Sequence, residues 1–189
     1  MQLKSMPRAA SWLHVEVRVG FEVLFVVGHR LRGRTSAREG ESTWYVGYEI
    51  DVDPDWRTRT VRAVNSTASG DREVVLERRT DGWTVDGVAR PDLDGCLDVD
   101  FESSAVTNTL PIHRLPFVVV GEAYDAPAAF VQADDLSVIR LEQRYTLLSS
   151  DDRRHVFHYE SATFDFACEL TYDASGLVLD YPGIAVRDR

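Results

Sequence analysis

The chain has 189 residues and a formal net charge of −10, from 21 Lys and Arg against 31 Asp and Glu. This length suits one domain that buries roughly 70% of its unfolded surface. A content of 44% hydrophobic and 28% charged residues argues against a disordered chain and against stable membrane insertion. The acidic balance, with no Lys/Arg-rich run, argues against nucleic acid as a partner.

The two cysteines and the N-terminal segment both point to a reduced compartment. Cys96 and Cys168 are too few for a disulfide framework and form no CxxC pair. The apolar stretch from Trp12 to Val27 is interrupted by charged residues, so we expect no signal peptide. The sequence therefore predicts a cytoplasmic protein.

Apolar and polar residues alternate with period two along much of the chain, which predicts antiparallel strands with one wet face. The predicted strands cover Leu13 to Val19, Trp44 to Val52, Ile139 to Leu147 and Phe164 to Tyr172. Turn pairs fall between such runs at Ser69-Gly70, Asp81-Gly82, Asp86-Gly87, Asp94-Gly95 and Ser175-Gly176. A helix longer than a turn or two has room only between Ala126 and Asp135.

Long alternating strands require two packed sheets or one strongly curved sheet around its own apolar side. We therefore expect a single all-β domain over residues 1–189, built as a barrel or half-barrel of antiparallel strands. Similar strand-and-turn patterns end at Asp53 and Asp173. They are explained equally well by chance and by two related halves, about 11–95 and 96–187.

The densest polar cluster contains Asp98, Asp100 and Glu102, which share one face of a predicted strand. A solvated face is the commoner outcome for such carboxylates. Alternatively, Asp98 and Asp100 line the mouth of a polar cavity and pair with Arg114 or Arg144. Because residues i and i+2 lie about 7 Å apart on a strand, the pair could also support acid/base hydrolysis of a glycosidic bond.

The segment from Thr107 to Phe117 contains two prolines and cannot be an ordinary central strand. It is either a rigid connector or a binding loop that presents Asn108, Thr109, His113 and Arg114. The histidines lack the spacing of metal ligands, and no nucleophile, nucleotide or metalloprotease motif is present. We therefore predict no metal site and no cofactor.

Several long motifs in this sequence resemble one known family. They are LDGCLDVDFESSAVTNTLPIHRL, EQRYT, YESATFDFACELTYDASGLVLDYPG, and the earlier Trp12, Gly20-Phe21-Glu22 and DPDWRTR. The chain is similar, over nearly its whole length, to the bacterial family named putative glycolipid-binding proteins, formerly a family of unknown function. The resemblance implies a curved all-β sheet similar to bacterial lipoprotein-carrier folds, and it implies no catalytic residue.

Three hypotheses for function follow. The first is non-enzymatic binding of a glycolipid or another amphiphilic small molecule, with its apolar tail in the concave face of the sheet and its polar head at the rim. The ligand-binding candidates are Asp98, Asp100, Asn108, Arg114, Arg144, Tyr145 and Tyr159, with Trp44, Trp56 and Trp83 as stacking surfaces for a sugar. The alternatives are a sugar-directed enzyme that uses the Asp98/Asp100 pair, and a packed module whose own aromatic rings fill the space.

Overall fold

The computed structural model describes residues 3–80 and 82–188, and these residues form an all-β fold. The strands are β1 (Ala9–His14), β2 (Val19–Val27), β3 (Arg30–Glu39), β4 (Ser42–Val52), β5 (Thr58–Thr67), β6 (Gly70–Arg79), β7 (Gly82–Val85), β8 (Val88–Ala89), β9 (Asp98–Phe101), β10 (Ala123–Asp125), β11 (Ala128–Val131), β12 (Val138–Leu141), β13 (Gln143–Ser150), β14 (Arg154–Ser161), β15 (Phe166–Asp173), β16 (Val178–Tyr181) and β17 (Ala185–Arg187). The helical elements are two 3₁₀ turns, Pro91–Leu93 and Val106–Asn108, and one short helix, α1 (Thr109–Arg114).

One large antiparallel sheet holds 14 strands in the order β10-β13-β14-β15-β16-β17-β1-β2-β3-β4-β5-β6-β7-β8. The pairing of β1 with β17, which sets Leu13 opposite Val186, joins the N-terminal and C-terminal arms of this sheet. The described strands do not close into a barrel, because β10 and β8 lie at the two ends. The predicted all-β class is confirmed, and the closed-barrel alternative is wrong.

A second sheet of three strands has the order β12-β11-β9, with β9 parallel to β11. Strand β9 lies near the start of residues 96–117, which we call the central segment. From Asp98 to Ile112 every residue except Glu102 is buried. The sequence predicts a solvated face for Asp98 and Asp100, and this prediction is wrong because both faces of β9 are covered by protein.

Both arms of the large sheet contact the central segment. On the N-terminal arm, the Thr35 hydroxyl donates a hydrogen bond of 2.8 Å to the Ser103 carbonyl, and the Tyr48 ring stacks on Phe101. On the C-terminal arm, the Tyr145 hydroxyl donates to Asn108 Oδ1 at 2.8 Å. The large sheet therefore curves around the central segment, which covers its inner face and shares its core.

Three predicted strands differ from those observed. The run from Leu13 to Val19 breaks after His14, and Leu13 faces outward with 49% of its surface exposed. The inward residue is Trp12, because its large indole is fully buried and donates to the Val178 carbonyl at 2.8 Å. The run from Ile139 to Leu147 splits at Glu142 between the two sheets, and β15 begins only at Phe166.

The sequence predicts no helix longer than a turn or two, and this is confirmed for the described residues, whose one α-helix has six residues. The stretch from Ala126 to Asp135 contains strand β11, whereas the proline-containing segment carries α1. Pro111 is tolerated there because it is the third helical residue, where a missing N–H removes no hydrogen bond within the helix. The segment is thus a buried helical connector and not an exposed loop.

The predicted turns agree with the structure where it describes them. Gly70 and Gly176 lie between paired strands with positive φ angles of 113° and 79°, which glycine adopts without strain. The pair at residues 81 and 82 falls partly outside the described residues. In the described part of the chain, no helix has the length and hydropathy to span a membrane. The internal duplication stays a prediction.

The burial of the central segment leads to a prediction about stability. We expect Leu110→Ala to lower the free energy of unfolding by about 2–5 kcal/mol, because Leu110 is fully buried and its loss leaves a cavity. The matched change Val119→Ala, at an exposed loop residue, is expected to stay within about 0.5 kcal/mol. Urea unfolding measures both changes. A small loss for Leu110→Ala would contradict the packing described above.

Candidate functional site

A pocket of about 320 Å³ opens beside the central segment, between the β1–β2 turn, β9, β11 and the β14–β17 strands. Its walls are aromatic. The rings that line it belong to Phe101, Phe130, Tyr159, Phe164, Phe166 and Tyr181. Phe130 and Phe164 lie 5.1 Å apart between ring centroids, and the Tyr159 ring lies 6.1 Å from Tyr181. The walls therefore offer broad apolar surfaces to a ligand.

The pocket is polar at its floor and apolar at its mouth. The polar residues Asp100, Ser104, Asn108 and Ser161 line it, and each is buried. Val17 and Phe164 line it as well, with 52% and 49% of their surfaces exposed, and Pro182 is also exposed. The buried part of the lining thus holds these hydrogen-bonding groups together with aromatic rings, and its exposed part is apolar.

Asp100 is the ionisable group at the floor. Its Oδ1 atom accepts hydrogen bonds from the Thr107 hydroxyl and, at 2.9 Å, from the Phe101 backbone N–H. Burial raises the pKa of Asp100 to about 7, against the lowering effect of these hydrogen bonds. Its Oδ2 atom makes no hydrogen bond to the described residues. This oxygen is therefore available to a ligand, whereas Ser161 Oγ is fully buried and lies beside the Tyr159 hydroxyl.

Glu22 lies behind the floor and holds it in place. The carboxylate accepts hydrogen bonds from the Ser104 hydroxyl, from the Tyr48 hydroxyl at 2.7 Å and from the Ala105 N–H at 2.9 Å. Burial raises the pKa of Glu22 to about 7, although these donors lower it. The sequence analysis did not identify Glu22 as a site residue. The signal in the sequence was its position two residues before the apolar Leu24, which places both side chains on the same, buried face of β2.

Arg18 is a second pocket residue that sequence reasoning missed. Its guanidinium donates a hydrogen bond of 2.8 Å to the Glu102 carbonyl and lies 3.5 Å from the Glu39 carboxylate. It also lies over the Trp44 ring, 5.3 Å from the centroid. The side chain is thereby fixed at the pocket wall.

Comparison with known proteins identifies the family. Residues 9–187 match the family described as putative glycolipid-binding. The chain belongs to this family. Its fold is similar to the crystal structure of a DUF1089 family protein from Pseudomonas aeruginosa, with a TM-score of 0.77 and 29% identity over 97% of this chain and 95% of that chain. No curated protein matches the chain.

The structure of this family member brings together some of the predicted ligand-binding residues. Asp100, Asn108 and Tyr159 line the same pocket. Tyr145 is buried behind Asn108, to which its hydroxyl donates. Arg144 is exposed on β13, where it pairs with a surface carboxylate and lies apart from the pocket lining.

Asp98 and Arg114 form a buried ion pair away from the pocket lining. The guanidinium donates to both carboxylate oxygens, at 3.0 and 2.6 Å, and the side chains are 1% and 10% exposed. Burial raises the pKa of Asp98, while Arg114 lowers it. Both carboxylate oxygens of Asp98 therefore accept hydrogen bonds from Arg114. Asp98 is not free to act with Asp100 as an acid/base pair.

The tryptophans predicted as sugar-stacking surfaces lie elsewhere. Trp44 and Trp83 are buried, and neither lines the aromatic pocket. Trp56 lines a larger surface cleft of about 770 Å³ and stacks on His113 with 3.8 Å between ring centroids. Burial lowers the pKa of His113 to about 4, and its Nε2 atom lies 2.9 Å from the Ser175 carbonyl. That cleft lacks a free buried polar group of the kind that Asp100 provides.

Among residues 3–80 and 82–188, no group of three or more His, Cys, Asp or Glu side chains is arranged to hold a metal ion. The pocket lining combines a carboxyl group with a pKa near 7, hydroxyl and amide groups, the Arg18 guanidinium and aromatic faces.

The buried Glu22 predicts a pH-dependent stability. Between its unfolded pKa of 4.5 and its folded pKa of about 7, the native state binds the proton and the unfolded state releases it. Stability is therefore lost as pH rises through this window. We expect Glu22→Gln to gain roughly 2 kcal/mol relative to the wild-type chain between pH 5 and pH 8.

Urea unfolding of both chains at the two pH values measures this difference. Glu41→Gln, at the exposed β3–β4 turn, is the control and should show a much smaller dependence. If the difference in unfolding free energy between Glu22→Gln and the wild-type chain does not change with pH, Glu22 is not protonated in the native state at pH 5.

The Asp98–Arg114 pair makes a separate prediction. We expect Arg114→Met to lower the free energy of unfolding by about 3–5 kcal/mol, because it leaves a buried carboxylate without its partner. The control Arg144→Met breaks an exposed pair with Asp125 and should cost about 1 kcal/mol or less. Chemical denaturation measures both variants, and equal losses would refute the buried pair.

Proposed function

We propose that this protein binds an amphiphile with a sugar headgroup, and that the headgroup enters the aromatic pocket. The family description supports glycolipid binding in general terms. The observation that carries the finer proposal is the gradient within the pocket, from a buried polar floor to an exposed apolar mouth.

The walls and floor match the two surfaces of a sugar ring. The C–H face of a pyranose packs on aromatic rings, and Phe166, Tyr159 and Tyr181 offer such rings around the pocket. The hydroxyl groups of a sugar donate to acceptors, and the described residues donate to Asp100 only at Oδ1, which leaves Oδ2 open to a sugar hydroxyl. Hydrogen bonds to an ionised carboxylate contribute about 1.5–3 kcal/mol each.

The size of the pocket decides how much of the ligand enters. A volume of about 320 Å³ lies at the lower end of the 300–1,000 Å³ typical of ligand sites, so it suits one headgroup better than a whole glycolipid. The apolar part then leaves past Val17 and Phe164 at the mouth. This orientation is the reverse of the one expected from the sequence, because the central segment already covers the concave face.

Two observations favour binding over the alternatives. Asp98 is held by Arg114, so the Asp98/Asp100 pair does not face a common substrate site. A packed module without a ligand requires a filled interior, whereas the aromatic pocket remains open. A cytoplasmic location stays a prediction of the sequence.

The test uses n-octyl-β-D-glucoside below its micelle concentration, with free glucose and 1-octanol as separate probes. We expect the glucoside to bind and to raise the melting temperature more than either part alone. In calorimetry at pH 8, Asp100→Asn should bind the glucoside at least about tenfold more weakly than the wild-type chain, because Asn cannot supply a charged acceptor.

Asp125→Asn, at an exposed carboxylate on β10, is the matched control and should bind as the wild-type chain does. Phe166→Ala should also weaken binding, since it removes a wall of the pocket. Equal affinities of wild type and Asp100→Asn for the glucoside, or binding of 1-octanol alone, would overturn the proposal.

A further inference from the structure

The outer face of β2 carries apolar side chains that no other part of the described chain covers. Its outward residues are Val19, Phe21, Val23, Phe25 and Val27. Phe25 is 50% exposed and Val27 is 68% exposed. On the neighbouring strands, Leu13 lies opposite Phe21, and Val186 lies opposite Leu13. We call these seven residues the apolar column.

A row of arginines runs beside the apolar column. The outward residues of β3 include Arg30, Arg32, Arg34 and Arg38, and all four are exposed. In the β2–β3 register, Arg32 pairs with Phe25, Arg34 with Val23 and Arg38 with Val19. Paired residues on adjacent strands have Cβ atoms about 5 Å apart, so cationic and apolar side chains form one continuous face.

Three of these arginines have no carboxylate partner. Arg30 is bound by Asp51 at 2.6 Å, whereas Arg32, Arg34 and Arg38 form no salt bridge with a described residue. The chain carries 31 acidic residues and a net charge of −10, so acidic groups are abundant elsewhere. A cationic row in which three arginines lack a carboxylate partner, beside exposed apolar rings, therefore matches an external surface that is both anionic and apolar.

A shallow depression lies within this face. It has a volume of about 200 Å³ over Gly47 and is lined by Phe25, Arg32 and Arg34, with Glu49 and Arg62 among its other residues. Arg62 is already paired with Glu73. Neither Arg32 nor Arg34 has a carboxylate partner, although Arg34 donates to the Tyr45 hydroxyl, so the depression suits a phosphate group, which arginine recognises through its fork of donors.

We propose that this face docks on the surface of an anionic lipid bilayer. The apolar column enters the boundary between headgroups and acyl chains, and the arginine row lies among the lipid phosphates. The docking is peripheral, since it uses the side chains of a folded sheet. It is separate from the pocket and does not depend on the identity of the pocket ligand.

The docking face meets the mouth of the aromatic pocket. Val17, which lines the mouth, precedes Val19 of the apolar column by two residues. The Val17 N–H donates to the carbonyl of Gly183, another lining residue, at 3.3 Å. A bilayer held against β2 thus lies next to the opening through which an amphiphile would enter.

Flotation with vesicles tests the docking. We expect the protein to float with vesicles of phosphatidylcholine containing about one third phosphatidylglycerol, and to float poorly with phosphatidylcholine alone. Raising NaCl from 50 to 200 mM should release it, because salt screens surface charge. Each arginine near an anionic surface strengthens binding about fivefold, so the double variant Arg32→Gln with Arg34→Gln should bind the vesicles about 25-fold more weakly.

The matched control is Arg153→Gln with Arg154→Gln, which removes the same charge from exposed residues near the β13–β14 turn. It should bind vesicles nearly as the wild-type chain does. Phe25→Ser should weaken binding about tenfold, whereas Val119→Ser, at another exposed apolar residue, should have little effect. The Arg32/Arg34 double variant should still bind octyl glucoside, which separates this proposal from the pocket.

Three results would overturn the proposal. They are no flotation with anionic vesicles at 50 mM NaCl, equal losses in the two arginine double variants, and a dimer in sedimentation analysis that Phe25→Ser abolishes. The last result would assign the face to a second copy of the chain.

Discussion

Burial of the central segment against the inner face of the large sheet is the interaction on which the rest of the structure depends. An open sheet with one apolar face must have that face covered, and here the chain covers it with its own residues 96–117. Both arms of the sheet contact this segment, so its position fixes their curvature. The aromatic pocket is the space left between this segment, strand β11 and the β14–β17 strands.

The same cover brings carboxyl groups into the interior, and each is accommodated differently. Asp98 is paired with a guanidinium, and Glu22 accepts three hydrogen bonds. Asp100 has only one of its oxygens satisfied by the described residues. Since a buried polar group without a partner is costly, the incomplete satisfaction at Asp100 sets this position apart.

Strand β2 connects the two surfaces on which the functional proposals rest. Its inward residues include Glu22, which supports the pocket floor, and its outward residues form most of the apolar column. The alternation of a strand makes this possible, because neighbouring residues face opposite sides of the sheet. A rigid strand thereby links the position of the docking face to the position of the pocket.

The sequence by itself determined the all-β class, the turns and the buried face of β4, because period-two alternation and glycine turns are local signals. It also indicated Asp100, Asn108 and Tyr159 as ligand-binding candidates. Only the tertiary structure decided that Asp98 pairs with Arg114, that α1 is buried, and that Leu13 and Phe25 face outward. These features depend on which strands meet across the sheet, and the alternation of one strand does not reveal which of its faces another segment will cover.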